Sequence, residues 1–117
     1  MAVTEFDSIS AVSISTTEIS ILTGTSTLTD STSPGAYQLI VDGIAASMAK
    51  GDEFEVRVYE KCLSGSTRRT LFLARMNDAQ TELLITPTLM LLNGWNMTLK
   101  KIAGTDRNFD ASIRKAG

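Results

Sequence analysis

Apolar and polar residues alternate along this chain in short runs, and that period of two leaves little choice of fold. In residues 53–62, EFEVRVYEKC, Phe54, Val56 and Val58 fall on one side of an extended chain, with charged or polar residues between them. Residues 37–42 and 95–99 repeat the pattern. No stretch has the 3.6-residue period of a long amphipathic helix. The sequence therefore predicts β-strands with one face in a core and the other in solvent.

Turn residues separate the runs. Ser64-Gly65-Ser66 predicts a hairpin between residues 53–62 and 69–76, and Asn93-Gly94 predicts a second hairpin that leads into residues 95–99. Pro87 cannot donate to a sheet ladder, so it marks a strand end or an edge. Ile44–Lys50 has the small-residue pattern of a short helical crossover.

Strands spaced about ten residues apart, roughly seven to nine in all, are typical of an all-β domain. At 117 residues the chain has the length of one domain. We expect a single-domain antiparallel β-sandwich or jelly roll, with a small barrel as the alternative, and with an extended N-terminal segment. A parallel sheet would need crossover helices that the sequence does not offer.

Residues 1–33 differ in composition from residues 34–117. They hold sixteen Ser and Thr against eleven in the rest, and all four of their charged residues are acidic. They are predicted to form either the first strands of the sandwich or an extended arm that lies on a neighbouring subunit. Residues 34–117 are predicted to be the sandwich core with a basic C-terminal segment. The apolar residues at β spacing in the first part are candidate partner contacts: Ile9, Val12, Ile14, Ile19 and Ile21.

Side chains suited to catalysis are scarce. The sequence has no histidine and one cysteine, Cys62, which is expected to be a small buried hydrophobe. Neither a serine-nucleophile motif nor a metal-ligand spacing is present. Glu53 and Glu55 are predicted to face solvent, while Glu60 falls on the inward side, to be solvated at the strand end or to pair with a buried arginine. We expect no enzyme activity, no cofactor and no metal.

Basic residues cluster near the first hairpin turn and in the last twenty positions. They form either a solvated face or a docking surface for an acidic protein partner. The candidate contacts are Arg68, Arg69, Lys100, Lys101, Arg107, Arg114 and Lys115. A net charge of −2 gives no support for nucleic acid or an anionic membrane as partner. No apolar run approaches the roughly 20 residues of a spanning helix, and the N-terminus MAVTEFDS lacks the pattern of a signal peptide.

The C-terminal run WNMTLKKIAGTDRNFDASIRK, residues 95–115, follows the pattern T-L-K-x-x-A-G-T-x-R-x-F-x-x-x-I-R. It resembles the closing segment of small virion proteins of tailed bacteriophages. The middle block is also similar, with Gly35-Ala36-Tyr37-Gln38-Leu39 followed by Lys50-Gly51-Asp52. The resemblance covers about residues 35–115 and brings no catalytic residues with it.

That resemblance implies an all-β virion component, namely a capsid decoration (cement) protein on the outside of an icosahedral head. The implied partners are the major capsid protein and further copies of the chain, as a dimer or trimer. The protein would be made in the host cytoplasm and reside on the capsid surface. One alternative is a head–tail connector or tail component. Another is a carbohydrate-binding β-module, for which Tyr37, Tyr59 or Trp95 should line a cleft, although Trp95 and Tyr37 are expected to be core aromatics.

Overall fold

The chain folds into two antiparallel sheets packed face to face as a β-sandwich, and this confirms the predicted fold class. The computed structural model describes residues 2–116. Their strands are β1 (Val3–Ile14), β2 (Ile19–Ser20), β3 (Gly35–Asp42), β4 (Glu53–Glu60), β5 (Arg69–Asn77), β6 (Leu84–Ile85), β7 (Leu89–Leu91), β8 (Trp95–Ala103) and β9 (Arg107–Ala116). The first sheet has the order β1-β9-β3-β6, with β7 also paired to β3, and the second sheet has the order β2-β8-β4-β5.

The core lies between the sheets and is made by the inward residues of the alternating runs. Phe54, Val56 and Val58 have no exposed surface. Tyr37 and Trp95 are equally buried, with ring centroids 4.4 Å apart. Phe6 packs against both rings, so the three aromatics fill one end of the sandwich. The prediction that Tyr37 and Trp95 are core aromatics is confirmed.

The connection at Asn93-Gly94 is a corner between the sheets, so the predicted second hairpin is wrong. β7 pairs with β3 in the first sheet, whereas β8 pairs with β4 in the second. Gly94 has φ 96, a left-handed conformation that glycine adopts without strain. Turn residues show where a chain can change direction, and they do not show which strand the next run will join.

The N-terminal segment belongs to the sandwich from Val3 onward. β1 pairs with β9 from Val3 opposite Ala116 to Ile14 opposite Arg107. Of the two predictions for this region, strands of the sandwich or an extended arm, β1 therefore follows the first. Three of its candidate partner contacts, Ile9, Ile14 and Ile21, are buried in the core. The idea that they contact a partner is therefore wrong, because their side chains already stabilise the two sheets. Val12 and Ile19 are half-buried and pack against the same core.

The basic C-terminal segment forms an internal strand of the first sheet. β9 lies between β1 and β3 and is paired on both sides. Its side chains therefore alternate between the core and the outer face of the first sheet, and they cannot form one basic surface.

The predicted crossover over Ile44–Lys50 is a series of turns, not a helix. Asp42 Oδ1 accepts hydrogen bonds from the amides of Ile44 and Ala45, and Ser47 takes a left-handed φ of 57. The bonds to Asp42 are those of a helix N-cap, but the left-handed φ of Ser47 interrupts the helical backbone after about one turn, which explains the difference.

Asp52 joins the β3–β4 connection to the β8–β9 turn and is only 3% exposed. Its Oδ1 accepts a hydrogen bond from the Thr105 amide at 3.0 Å, and its Oδ2 accepts bonds from the Ala49 amide at 3.0 Å and Arg107 Nε at 2.9 Å. The bonds from the Thr105 and Ala49 amides, with Arg107, hold the pKa of Asp52 below its ordinary value. Arg107 is thus part of an internal ion pair.

Candidate docking groove

A groove of about 760 Å³ lies between the start of β5, the loop after β4 and the end of β7. Among the residues that line it are Lys61, Arg69, Leu71, Met90 and Leu92. We call it the β5–β7 groove. β5 is an edge strand of the second sheet, and β7 is the last strand of the first sheet before the corner at Asn93-Gly94. The groove is the space between these two strands.

Large apolar side chains reach into solvent around the β5–β7 groove. Leu71 is 50% exposed, Met90 85% and Leu92 59%. These are three of the ten large apolar residues exposed in residues 2–116. Isolated exposed leucines are ordinary on a protein surface, but a concentration of them along one groove is typical of a protein interface.

Two cations accompany the apolar residues. Lys61 and Arg69 line the groove, and neither forms an ion pair with any residue in the described range 2–116. The nearby Glu60 carboxylate is occupied, since its Oε2 accepts hydrogen bonds from the amides of Leu92 at 2.6 Å and Asn93 at 3.0 Å. Glu60 therefore stabilises the corner at Asn93-Gly94. It is neither simply solvated at the strand end nor paired with a buried arginine, the two roles that the sequence suggested. Glu60 also lines the groove and lies opposite Arg69, so the groove combines apolar surface with a net positive charge from two cations and one carboxylate.

Cys62 lines the same groove and is exposed, so the expectation of a buried thiol is wrong. β4 ends at Glu60, and Cys62 therefore lies in the loop, where the alternation of the strand no longer sets which side chains face inward.

The predicted basic contacts do not converge on one surface. Four of the seven are engaged within the molecule: Arg68 with Asp30, Lys101 with Asp106, Arg107 with Asp52, and Lys115 with the hydroxyl of Ser33 beside the rings of Phe6 and Tyr37. Lys100 and Arg114 are exposed on the outer faces of opposite sheets. Arg69 alone among the seven lies in the β5–β7 groove. The seven residues therefore do not form one continuous basic surface, and contact of each with a partner stays a prediction.

The groove residues Leu71, Met90 and Leu92 were not among the predicted contacts. A signal for them exists in the sequence, because the runs Leu71-Phe72-Leu73 and Leu89-Met90-Leu91-Leu92 are apolar without alternation. Such runs place an apolar residue on both faces of a strand, and one of those faces here is solvent.

The outer face of the second sheet carries a network of paired charges. The Glu55 side chain is only 6% exposed, with Arg57 at 2.6 Å and Arg75 at 3.2 Å. The prediction that Glu55 faces solvent is therefore wrong, because the arginines beside it cover the carboxylate. Glu53, which also binds Arg75, is half-buried.

Tyr59 connects this network to the segment before β2. Its hydroxyl donates a hydrogen bond of 2.7 Å to Glu18, which also accepts a bond from Thr98. Burial raises the pKa of Tyr59, and the Glu18 carboxylate raises it further. The guanidinium of Arg68 lies 4.5 Å from the ring centroid. The contacts fasten the segment around Glu18 to the sheet.

Replacing Tyr59 with Phe should lower the free energy of unfolding by about 1–2 kcal/mol, the cost of a hydrogen bond to a charged acceptor. Denaturant unfolding measures this change, and hydrogen exchange should be faster in residues 15–20. The matched variant Tyr37→Phe removes a hydroxyl bonded to Ser33 and should leave exchange in residues 15–20 unchanged. Equal exchange in that segment for wild type and Tyr59→Phe would contradict the role of the bond.

A shallower groove of about 320 Å³ lies on the outer face of the first sheet and is lined by Glu5, Asp42 and Asp110 together with serines and Arg114. Its carboxylates are already used: Glu5 accepts from Ser112, and Asp110 from the amide of Ala11. The described residues contain no group of three or more side chains arranged to hold a metal ion. Over the same range no helix is long and apolar enough to cross a membrane.

No protein-family model matches the chain, and neither does any curated protein. Among solved structures, the chain is similar to the crystal structure of a mitogen derived from Yersinia pseudotuberculosis, with a TM-score of 0.51 and 10% sequence identity. The superposition covers 98% of this chain and 86% of the mitogen chain. The xylan-binding domain from CBM 22 matches 85% of this chain, with a TM-score of 0.44 and 12% identity, and the match spans 64% of that domain's chain. Likeness at such low identity concerns the β-sandwich fold alone.

Proposed function

We propose that the protein is a structural virion component of a tailed bacteriophage, a decoration protein that docks on the outside of the head through the β5–β7 groove. The resemblance of residues 35–115 to small phage virion proteins supports the virion assignment. The groove supports a role in protein binding, and it is the observation that carries the proposal.

The chemistry of the groove defines the surface that it fits. Full burial of an apolar side chain as exposed as Met90 contributes about 1.5–3 kcal/mol, so a few such residues suffice for a weak, specific contact. Lys61 and Arg69 favour a partner that carries acidic groups at the rim of the contact. The proposed partner surface on the major capsid protein is therefore apolar at its centre and acidic around it.

A decoration protein does not need a tight single contact. Each bound copy contributes a small binding free energy. Where one copy bridges two capsid subunits, its contacts add up, and many equivalent sites on the particle repeat this contribution. A groove with a few exposed apolar residues is consistent with this mode of binding. The same groove would serve a head–tail connector, which differs in occupying one vertex of the particle.

The aromatic side chains do not favour the carbohydrate-binding alternative. Tyr37 and Trp95 are fully buried, and Arg68 covers the ring of Tyr59. Tyr37 and Trp95 therefore offer no ring face to a sugar, and at least one face of Tyr59 is occupied.

Replacing Met90 with Glu should weaken binding to phage heads about tenfold or more, because a buried apolar contact is lost and a charge is placed against an acidic surface. Heads that lack the protein are titrated with wild type and variant, and bound protein is measured after sedimentation. Ile102→Glu makes the same kind of change at a half-exposed residue outside the groove and should bind as wild type does.

The position of the bound protein separates the possible outcomes. Density over the whole head surface in electron micrographs supports a decoration protein, and density at a single vertex would replace it with a connector. Absence of binding to heads, or equal loss of binding in Met90→Glu and Ile102→Glu, would refute docking through the groove.

A further inference from the structure

The four edges of the two sheets differ in how well they are protected from pairing with another strand. β2 has two residues, and β6 and β7 are short and separated by Pro87, which has no amide hydrogen. The pairing of β1 shifts register twice, and its Ala11 has a left-handed φ of 49. Short strands, prolines and bulges are the usual means by which sheet edges avoid association. On these three edges no regularly paired run is longer than three residues.

β5 is the least protected edge, because its single register shift, at Leu71, leaves residues 72–77 regularly paired. It has nine residues and borders the second sheet, with β4 on one side and no strand of residues 2–116 on the other. From Phe72 to Asn77 its pairing with β4 has no register shift. Leu73, the second residue of this span, is 44% exposed, and Leu71, at the register shift just before the span, is also exposed. A regular apolar edge of this length is a template for a further strand.

The charges on β5 do not oppose such pairing. The strand contains no lysine or proline, the residues that most often guard an edge. Arg75 is bonded to Glu53 and Glu55 of the same molecule, so its charge is compensated on the face of the sheet. Arg69 lies outside the regular span, at the β5–β7 groove.

We propose that two copies of the protein associate through β5, antiparallel, about a two-fold axis at Leu73. In this register Leu73 faces its equivalent, Phe72 of one copy faces Ala74 of the other, and Leu71 faces Arg75. No two like charges stand directly opposite, as a stable antiparallel pair requires. The four-stranded second sheet of one copy then joins that of the other copy to form one continuous sheet of eight strands. Because β5 is the least protected edge of each copy and is used up in the pair, the association closes at a dimer and does not grow into a filament.

The dimer would also arrange the β5–β7 grooves, a consequence that rests on the proposed function. Each groove lies at the N-terminal end of its β5, and antiparallel strands put these ends on opposite sides of the axis. Eight residues from one Arg69 to the other, at a rise of about 3.4 Å each, place the grooves about 27 Å apart. One dimer then presents two grooves and can bridge neighbouring subunits.

The test introduces a negative or a positive charge at residue 73, in the variants Leu73→Glu and Leu73→Lys. Sedimentation equilibrium then measures the molecular mass at protein concentrations up to about 100 µM, where small interfaces associate. Wild type should be dimeric at the upper end. Leu73→Glu and Leu73→Lys should each weaken dimerisation about tenfold or more, because like charges then face each other across the axis. An equimolar mixture of the two variants should dimerise again, since Glu then faces Lys.

Folding of the variants is checked by circular dichroism, and Leu73→Glu is the safer of the two because residue 73 lies opposite Arg57 on β4. Ile85→Glu is the matched control on the protected β6 edge, where Ile85 is 54% exposed, and should dimerise as wild type does. Monomeric wild type, dimeric Leu73→Glu, or a mixture that stays monomeric would each overturn the proposal. Met90→Glu should still dimerise, so failure of groove binding and failure of the dimer are separate results.

Discussion

Replacing Gly104 with Ala is expected to lower the free energy of unfolding by about 3–5 kcal/mol, a large part of the stability of a domain of this size. Gly104 has φ 93 in the β8–β9 turn, a conformation that costs an L-residue energy. A Cβ at this position would also collide with Asp52 Oδ1 and lie 2.6 Å from Asp52 Cα. The collision would push Asp52 away from the Thr105 amide that it binds.

Gly51 provides the matched control for this prediction. It has the same φ of 93, but a Cβ there would meet no atom within 4 Å. Gly51→Ala should therefore cost only the backbone strain, about 1 kcal/mol. Urea unfolding of both variants measures the difference. Equal losses would mean that backbone conformation alone sets the cost at Gly104 and that the packing against Asp52 contributes nothing.

The inward faces of the strands could be predicted from the sequence because the pleat is a local property. Successive side chains of a strand point to opposite faces, so Phe54, Val56 and Val58 had to share one face whatever strand lay beside them. The pairing of strands is not local. Asn93-Gly94 shows a turn in the sequence, yet whether it closes a hairpin or a corner depends on contacts of β7 with β3 that the turn residues do not encode.

The groove was harder to predict than the fold for the same physical reason. Met90 is exposed because it points to the outer face of the first sheet, and Leu71 because it lies at the register shift of β5; which face stays open and where a register shifts depend on the whole topology. Glu55 shows the converse effect, since its position on the outer face suggested exposure while two arginines bury it. The virion role rests on a resemblance in sequence and stays a prediction until binding to heads is measured.

Acid should destabilise the protein through Asp52. Hydrogen bonds from the Thr105 and Ala49 amides, with the Arg107 ion pair, outweigh the opposing effect of burial and hold the pKa of Asp52 below 3.8, the value of an unperturbed Asp. A carboxyl group whose pKa is lower in the folded state than in the unfolded state binds fewer protons when folded. Its contribution to stability is therefore complete above the unfolded-state pKa and is lost as the pH falls through the lowered pKa. Urea unfolding from neutral pH to about pH 2 should show this loss.

Asp52→Asn isolates that contribution. At pH 7 the variant should be less stable by about 2–4 kcal/mol, because an amide cannot accept the bonds that reach both carboxylate oxygens and Arg107 loses its counter-charge. The difference from wild type should shrink as the pH falls, since protonation of Asp52 removes the same charge from wild type. Asp106→Asn is the control: Asp106 is 52% exposed and pairs with Lys101, so its loss should cost about 0.5 kcal/mol or less. The difference in the free energy of unfolding between wild type and Asp52→Asn could instead stay constant from neutral to acid pH. That result would show that the charge of the Asp52 carboxylate does not contribute to stability.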